Sequence, residues 1–153
     1  MATKQAKQTS NDKLLAAAES GDAKALLKAL QAGADVQAKD SRGWTVLMGV
    51  AIFGYANCLS LLIEAGADIH ARNLNGWTAV MGAASSGRAD CLSLLIEAGA
   101  DVQASNLDGF TAAMMAARDG HADCAQMIEA ERERLELVST VELPGRTKPA
   151  LRM

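Results

Sequence analysis

The sequence predicts an all-α repeat solenoid. Three observations carry that prediction: a 33-residue period, a stock of small and aliphatic residues, and threonines and glycines placed where helices start and stop. The stretch CLSLLIEAGAD stands at 58–68 and again at 91–101, identical over eleven positions. The same offset relates Gly43, Gly76 and Gly109; Thr45, Thr78 and Thr111; Met48, Met81 and Met114; and Cys58, Cys91 and Cys124. An AGAD at 32–35 precedes its next copy by the same interval. Units therefore fall at about 10–39, 40–72, 73–105 and 106–138, together one repeat domain over 10–138. Half of the 153 residues are hydrophobic and only 3% are aromatic. Such a mixture suits closely packed helices better than a β-sandwich.

The elements follow in order. Residues 1–9 are expected to be disordered. Asp12 is expected to cap the first helix, at the place that Thr45, Thr78 and Thr111 hold in later units. A hydroxyl or carboxylate there can accept a bond from the orphan backbone N–H groups of a helix start. Each first helix (VLMGVAIF, AVMGAASS, AAMMAARD) stops at Gly54, Gly87 or Gly120, where glycine tolerates the left-handed conformation that ends helices. Second helices run through ANCLSLLIEA and ADCLSLLIEA, apolar at Leu59, Leu62 and Ile63 and at Leu92, Leu95 and Ile96. They end at Gly33, Gly66 and Gly99. The links ADVQAKDSRG and ADIHARNLNG hold Asp, Asn and Gly turn signals and predict short β-hairpin loops. Two short helices cannot bury their apolar faces alone, so the units must stack.

The end units depart from the pattern as capping units should. Lys28 stands where Leu61 and Leu94 stand, and Glu129 where Ile63 and Ile96 stand. Arg132, Glu133 and Arg134 replace the last glycine stop. The final helix is therefore expected to continue through EAERERLELV with Arg132 and Glu136 paired at i,i+4. Residues 139–153 hold two prolines and no helical period, and predict a flexible tail.

A 33-residue unit of turn plus two helices resembles the ankyrin repeat. The motifs that carry the resemblance are D/N-x-x-G-x-T opening each unit, A-A-x-x-G closing the first helix and LLIEAGAD closing the second. The likeness covers about 10–138. The family's TPLH stands here as TVLM, TAVM and TAAM, so the loop-linking His is replaced by Met48, Met81 and Met114, a substitution expected to work by packing. The family's Asn is replaced by Gln37, His70 and Gln103.

The residues argue against catalysis. No Ser/His/Asp or Cys/His set, phosphate-cradling loop or metal-ligand spacing can be assembled, so no enzyme activity, metal or cofactor is expected. The three cysteines are expected to be buried free thiols. Gly49 and Gly82 inside first helices are expected to leave a groove, deepest around units two and three. Net charge is −3, which gives no electrostatic reason for nucleic-acid or membrane binding. No secretory signal or bilayer-spanning run is evident, and a cytoplasmic location is expected.

The resemblance implies a non-catalytic adaptor or scaffold that binds another protein, as an extended peptide or a helix laid across the hairpin tips, on its concave face. Carried over position by position, that face holds Arg42, Trp44, Leu74, Asn75, Trp77, Leu107, Asp108 and Phe110 on hairpins, and Ile52 and Phe53 on a first helix. Trp44, Trp77, Phe110 and Phe53 would be anchors, with Arg42 and Asp108 orienting the partner. Two readings of the aromatics stay open: partner contact, or packing between neighbouring units. A monomer is expected, and self-association into a homo-oligomeric structural protein is the alternative function.

Overall fold

A computed structural model describes residues 4–140. Its helices are α1 (Lys4–Ser20), α2 (Ala23–Gln31), α3 (Val46–Phe53), α4 (Ala56–Glu64), α5 (Ala79–Ser85), α6 (Ala89–Glu97), α7 (Ala112–Arg118) and α8 (Ala122–Thr140). They form two layers. Helices α1, α3, α5 and α7 pack side by side in one row, and α2, α4, α6 and α8 in the other, with each pair closing one unit. Among the described residues no strand forms. The expected hairpins reduce to single antiparallel bridges, Lys39 with Thr45 and Ser105 with Thr111.

The caps explain where helices begin. Thr45, Thr78 and Thr111 sit in extended conformation, and their hydroxyls accept from the N–H of Met48, Met81 and Met114 at 3.2, 3.4 and 3.3 Å. Asp12 does not cap. Helix α1 runs through it from Lys4, so the disorder expected over 1–9 is corrected for residues 4–9. The stretch KQAKQTSN contains no proline or glycine to stop a helix growing N-terminally. Its Asn11 Oδ1 also accepts from the Asp35 N–H at 2.7 Å, tying α1 to the loop after α2. At the other end α8 extends to Thr140, which takes residues 139 and 140 from the expected tail. Residues 141–153 of that tail lie outside the described residues.

The core fills the space between the rows. Leu26, Leu59, Leu62, Leu92, Leu95 and Ile128 are fully buried, as are the free thiols Cys58, Cys91 and Cys124. Met48 and Met81 are buried too, but Met114 is 53% exposed. Methionine thus takes the place of histidine by packing only where a further unit covers it.

Stacking uses the glycines between paired helices. Tyr55 lies on Gly21, Arg88 on Gly54 and His121 on Gly87. A Cβ at Gly54 would come within 2.7 Å of Arg88 Cδ, and Gly54 has a positive φ of 82° as well, so a side chain there meets both strain and collision. Arg88 Nε meanwhile donates to the Ile52 carbonyl at 3.0 Å. On the opposite edge Gln37 bridges two units, donating to the Gly66 carbonyl at 2.9 Å and accepting from the Asp68 N–H at 3.0 Å. Along α8, Arg132 meets Glu129 at 2.9 Å and the expected Glu136 only at 3.9 Å. These exposed pairs add little to stability.

Candidate partner-binding face

Each loop is held by one carboxyl or amide side chain. Asp40 Oδ1 accepts from the N–H groups of Arg42 and Trp44, Asn73 Oδ1 from Asn75 and Trp77, and Asn106 Oδ1 from Asp108 and Phe110, all at 2.8–3.0 Å. Asx turns of this kind fix the loop without any help from a sheet. For Asp40, desolvation pushes the carboxyl up, but the bonds from Trp44 and Arg42 and the Arg42 charge outweigh it. The group stays below its ordinary value. Asn73 is buried, and its Nδ2 lacks a partner among the described residues.

Successive loops are also bonded to one another. The Leu74 N–H donates to the Arg42 carbonyl and the Leu107 N–H to the Asn75 carbonyl, each at 3.0 Å. Gly43 and Gly76 permit this approach, since a Cβ on either would lie 3.0–3.1 Å from the next loop's backbone. Arg72 Nη1 adds a bond to the Ser105 carbonyl at 3.0 Å. The loops therefore form one continuous, preorganised edge.

The side chains along that edge divide into two kinds. Trp44 and Trp77 are half-buried and packed on the core, with ring centroids 6.0 Å apart and planes tilted by 49°. Leu74 and Leu107 project into solvent at 70% and 76% exposure. Phe53, 49% exposed, leans on Tyr55 with centroids 5.7 Å apart. Phe110, 38% exposed, carries the Arg118 guanidinium 5.4 Å above its ring. Arg42, Asn75 and Asp108 are exposed, and Ile52 is half-buried. Ser85 Oγ donates to Asp119 Oδ2 at 2.7 Å, linking α5 to α7 beside the row.

A cleft of about 650 Å³ opens between α1 and α3. Leu15, Ala18, Val46, Gly49 and Ile52 form its apolar lining, Trp44 and Phe53 its aromatic lining, and Glu19, Asp40 and Arg42 stand around it. The groove expected around units two and three is thus displaced to units one and two. The cause lies in one position of the first helices. Ile52 fills the space over Gly82, where a Cβ would lie 2.8 Å from Ile52 Cγ1. Glu19 holds the Ile52 position one unit earlier, and nothing lies within 4 Å of a Cβ on Gly49. Glu19, Leu15 and Ala18 were missing from the sequence-derived face because the first unit was read as a cap. The 33-residue offset between Glu19 and Ile52 was the available signal.

The three cysteines lie behind this face, on α4, α6 and α8. Burial pushes the Cys58 and Cys124 thiols up and Cys91 up to about 11, leaving them protonated and inert at neutral pH. Among the described residues no group of three or more His, Cys, Asp or Glu could hold a metal ion. No helix among them is long and apolar enough to cross a membrane.

No curated protein is a detectable match. The family model for ankyrin repeats, which itself spans three copies, matches residues 14–106 and 65–133. Ankyrin repeats are generally protein–protein interaction modules and are typically non-catalytic. The recurring capped helix pairs, the glycine-mediated stacking and this match across most of the chain have one explanation: the protein belongs to the ankyrin repeat family.

Proposed function

We propose that the chain is a non-catalytic adaptor that holds an extended segment of a partner protein across its loop tips and the α1–α3 cleft. One observation carries the reading: Leu74 and Leu107 stand 70% and 76% exposed on loops whose backbones are already bonded to their neighbours. Large apolar side chains on a rigid backbone bind at little entropic cost. Phe53 at the cleft and Phe110 on a loop add exposed aromatic area, and Arg42, Asn75 and Asp108 supply exposed polar groups on the loops. Trp44 and Trp77 serve as a packed base for the face rather than as free anchors. Three buried free thiols suit a reducing compartment, in keeping with a cytoplasmic adaptor.

The test is crosslinking and affinity capture from the native cell, comparing wild type with Leu74→Ser/Leu107→Ser/Phe110→Ser. The same partner should be lost by the triple variant while helical circular dichroism and the melting temperature hold. A partner captured equally by both places binding elsewhere. Light scattering that shows a wild-type dimer and a monomeric variant would instead make the face a self-association surface.

A further inference from the structure

Every interior junction of the stack joins the trailing side of one unit to the leading side of the next, and each end unit leaves one such side uncovered. On the trailing side Met48 and Met81 are buried, while Met114 is half-exposed. Ala51 and Ala84 are buried there too, while Ala117 at the same position is exposed. On the leading side Val46, Ala79 and Ala112 are buried, whereas Lys13 in their place is exposed. Gly82 and Met115 are buried where Ala16 is exposed. A cleft of about 540 Å³ opens on that bare leading side, walled by alanines of α1 and α2 and flanked by Lys13 and Lys28.

The two open sides carry opposite charge. Helices α1 and α2 hold five lysines against two carboxylates, and Lys13, Lys24 and Lys28 have no ion-pair partner among the described residues. Helices α7 and α8 hold five carboxylates against three arginines. On α8, Glu129 and Glu136 share Arg132 at 2.9 and 3.9 Å, and Glu133 between them has no ion-pair partner among the described residues. Negative charge is therefore left over at that end. In the register of the stack Glu129 holds the place of Ile63 and Lys28 that of Leu94, two residues packed on the core at the α4–α6 junction. Arg118 likewise holds the place of Ile52 and Ala16 that of Gly82, so a long side chain again meets a small residue. A polar outer face keeps a capping unit soluble, but solubility does not dictate its sign.

We propose that copies of this chain associate head to tail, the α7–α8 end of one stacking on the α1–α2 end of the next so that both rows of helices continue across the junction. A second copy is the partner because the join repeats an interface the fold already contains, and because the α1–α2 end supplies lysines to the surplus carboxylates. An end meeting its own kind would set like charge against like. With Glu129 and Lys28 in place of Ile63 and Leu94, the junction is weaker than an interior one and sensitive to salt. A heterologous contact of this type does not close on itself, so assemblies lengthen with concentration. The loop tips stay free along the assembly, and the proposal does not depend on their binding a partner.

The experiment is sedimentation of the full chain with two blocked variants, Ala16→Arg on the leading side and Ala117→Arg on the trailing side. Both positions are exposed, so each variant should keep the wild-type circular dichroism and melting temperature. Wild-type mass should climb steadily between micromolar and millimolar concentration. Each variant alone should stay monomeric, and an equal mixture should form a 1:1 dimer and nothing larger, since one open end of each kind remains. Lys28→Glu alone and Glu129→Lys alone should each weaken wild-type association about three- to ten-fold, and the two together in one chain should restore it. The apparent dissociation constant should rise about ten-fold as salt goes from about 0.01 to about 1 M and the screening length falls from about 30 to about 3 Å. A wild type that stays monomeric throughout overturns the proposal, whether its ends are bare or covered by another part of the chain. So does assembly that stops at two copies, a mixture that stays monomeric, or a charge swap that fails to rescue. Loss of association in the Leu74→Ser/Leu107→Ser/Phe110→Ser variant, with both end-blocked variants unaffected, moves the contact to the loops and overturns it as well. No other protein enters these measurements, so their failure is separable from failure of partner capture.

Discussion

Ile52 on α3 lies directly over Gly82 on α5: a Cβ at Gly82 would stand 2.8 Å from Ile52 Cγ1 and 3.9 Å from the Met48 carbonyl. The large side chain of one unit occupies the space the next unit leaves empty, which lets two first helices approach closely. Gly49, the same position one unit earlier, meets nothing within 4 Å. Identical residues at equivalent positions therefore carry opposite expectations.

Gly82→Ala gains about 1 kcal/mol of helix propensity but must displace Ile52, and overpacking of this kind costs about 1–3 kcal/mol. Urea denaturation should show net destabilisation, relieved when Ile52→Ala is added. Gly49→Ala has only the propensity gain and should raise stability by up to about 1 kcal/mol. Two equal effects would sink the packing account.

The Trp44–Trp77 pair, at 6.0 Å, should be coupled energetically. A double-mutant cycle through Trp44→Ala and Trp77→Ala should give a coupling of about 0.5–1.5 kcal/mol. Additive losses would show that each ring packs on the core independently. The double variant should also lower the melting temperature, which makes it unsuitable as a probe of partner binding.

Gln37 makes two inter-unit bonds through its amide, whereas the Gln103 side chain, at the matching position of the third unit, makes none among the described residues. Gln37→Ala should cost about 1 kcal/mol. Gln103→Ala should be close to silent in the same denaturation assay. Hydrogen exchange at the Asp68 amide should speed up in the first variant and stay unchanged in the second.

Burial pushes the Cys91 thiol from 9.0 up to about 11. A group whose folded value lies above its unfolded value holds its proton longer in the folded state. Its contribution to stability is full below pH 9.0 and is lost as pH rises through about 11. Thiol titration of the native chain at pH 8 should therefore be slow and become rapid on adding denaturant. Cys91→Ala should flatten the alkaline fall in stability. Rapid native labelling would mean that the stack opens locally around α6.

Much of the fold was readable from the chain because the decisive signals are local. Thr45, Thr78 and Thr111 cap within three residues, and Gly54 ends its helix through its own φ. Asp12 was misread because the repeat register, applied to the first unit, imposed a start that the stretch before it, free of glycine and proline, does not honour. The face was less legible. The row of loop residues follows from the offset, but burial of the two tryptophans and exposure of the leucines depend on which way each side chain leaves its turn. The cleft was misplaced because a glycine makes a hole only when its neighbour leaves one. That neighbour, Glu19, sits 30 residues away in a unit where a polar residue looked like a solubility device.

The bonds from Leu74 to the Arg42 carbonyl and from Leu107 to the Asn75 carbonyl set the interval at which the loop tips recur. With helices about 8–10 Å apart, the tips share that spacing. An extended chain advances about 3.3 Å per residue, so successive tips meet it at about every third position. If the loop tips are the docking face proposed above, such an edge would act as a gauge, favouring partners whose apolar residues keep that rhythm over those, equally apolar, that do not.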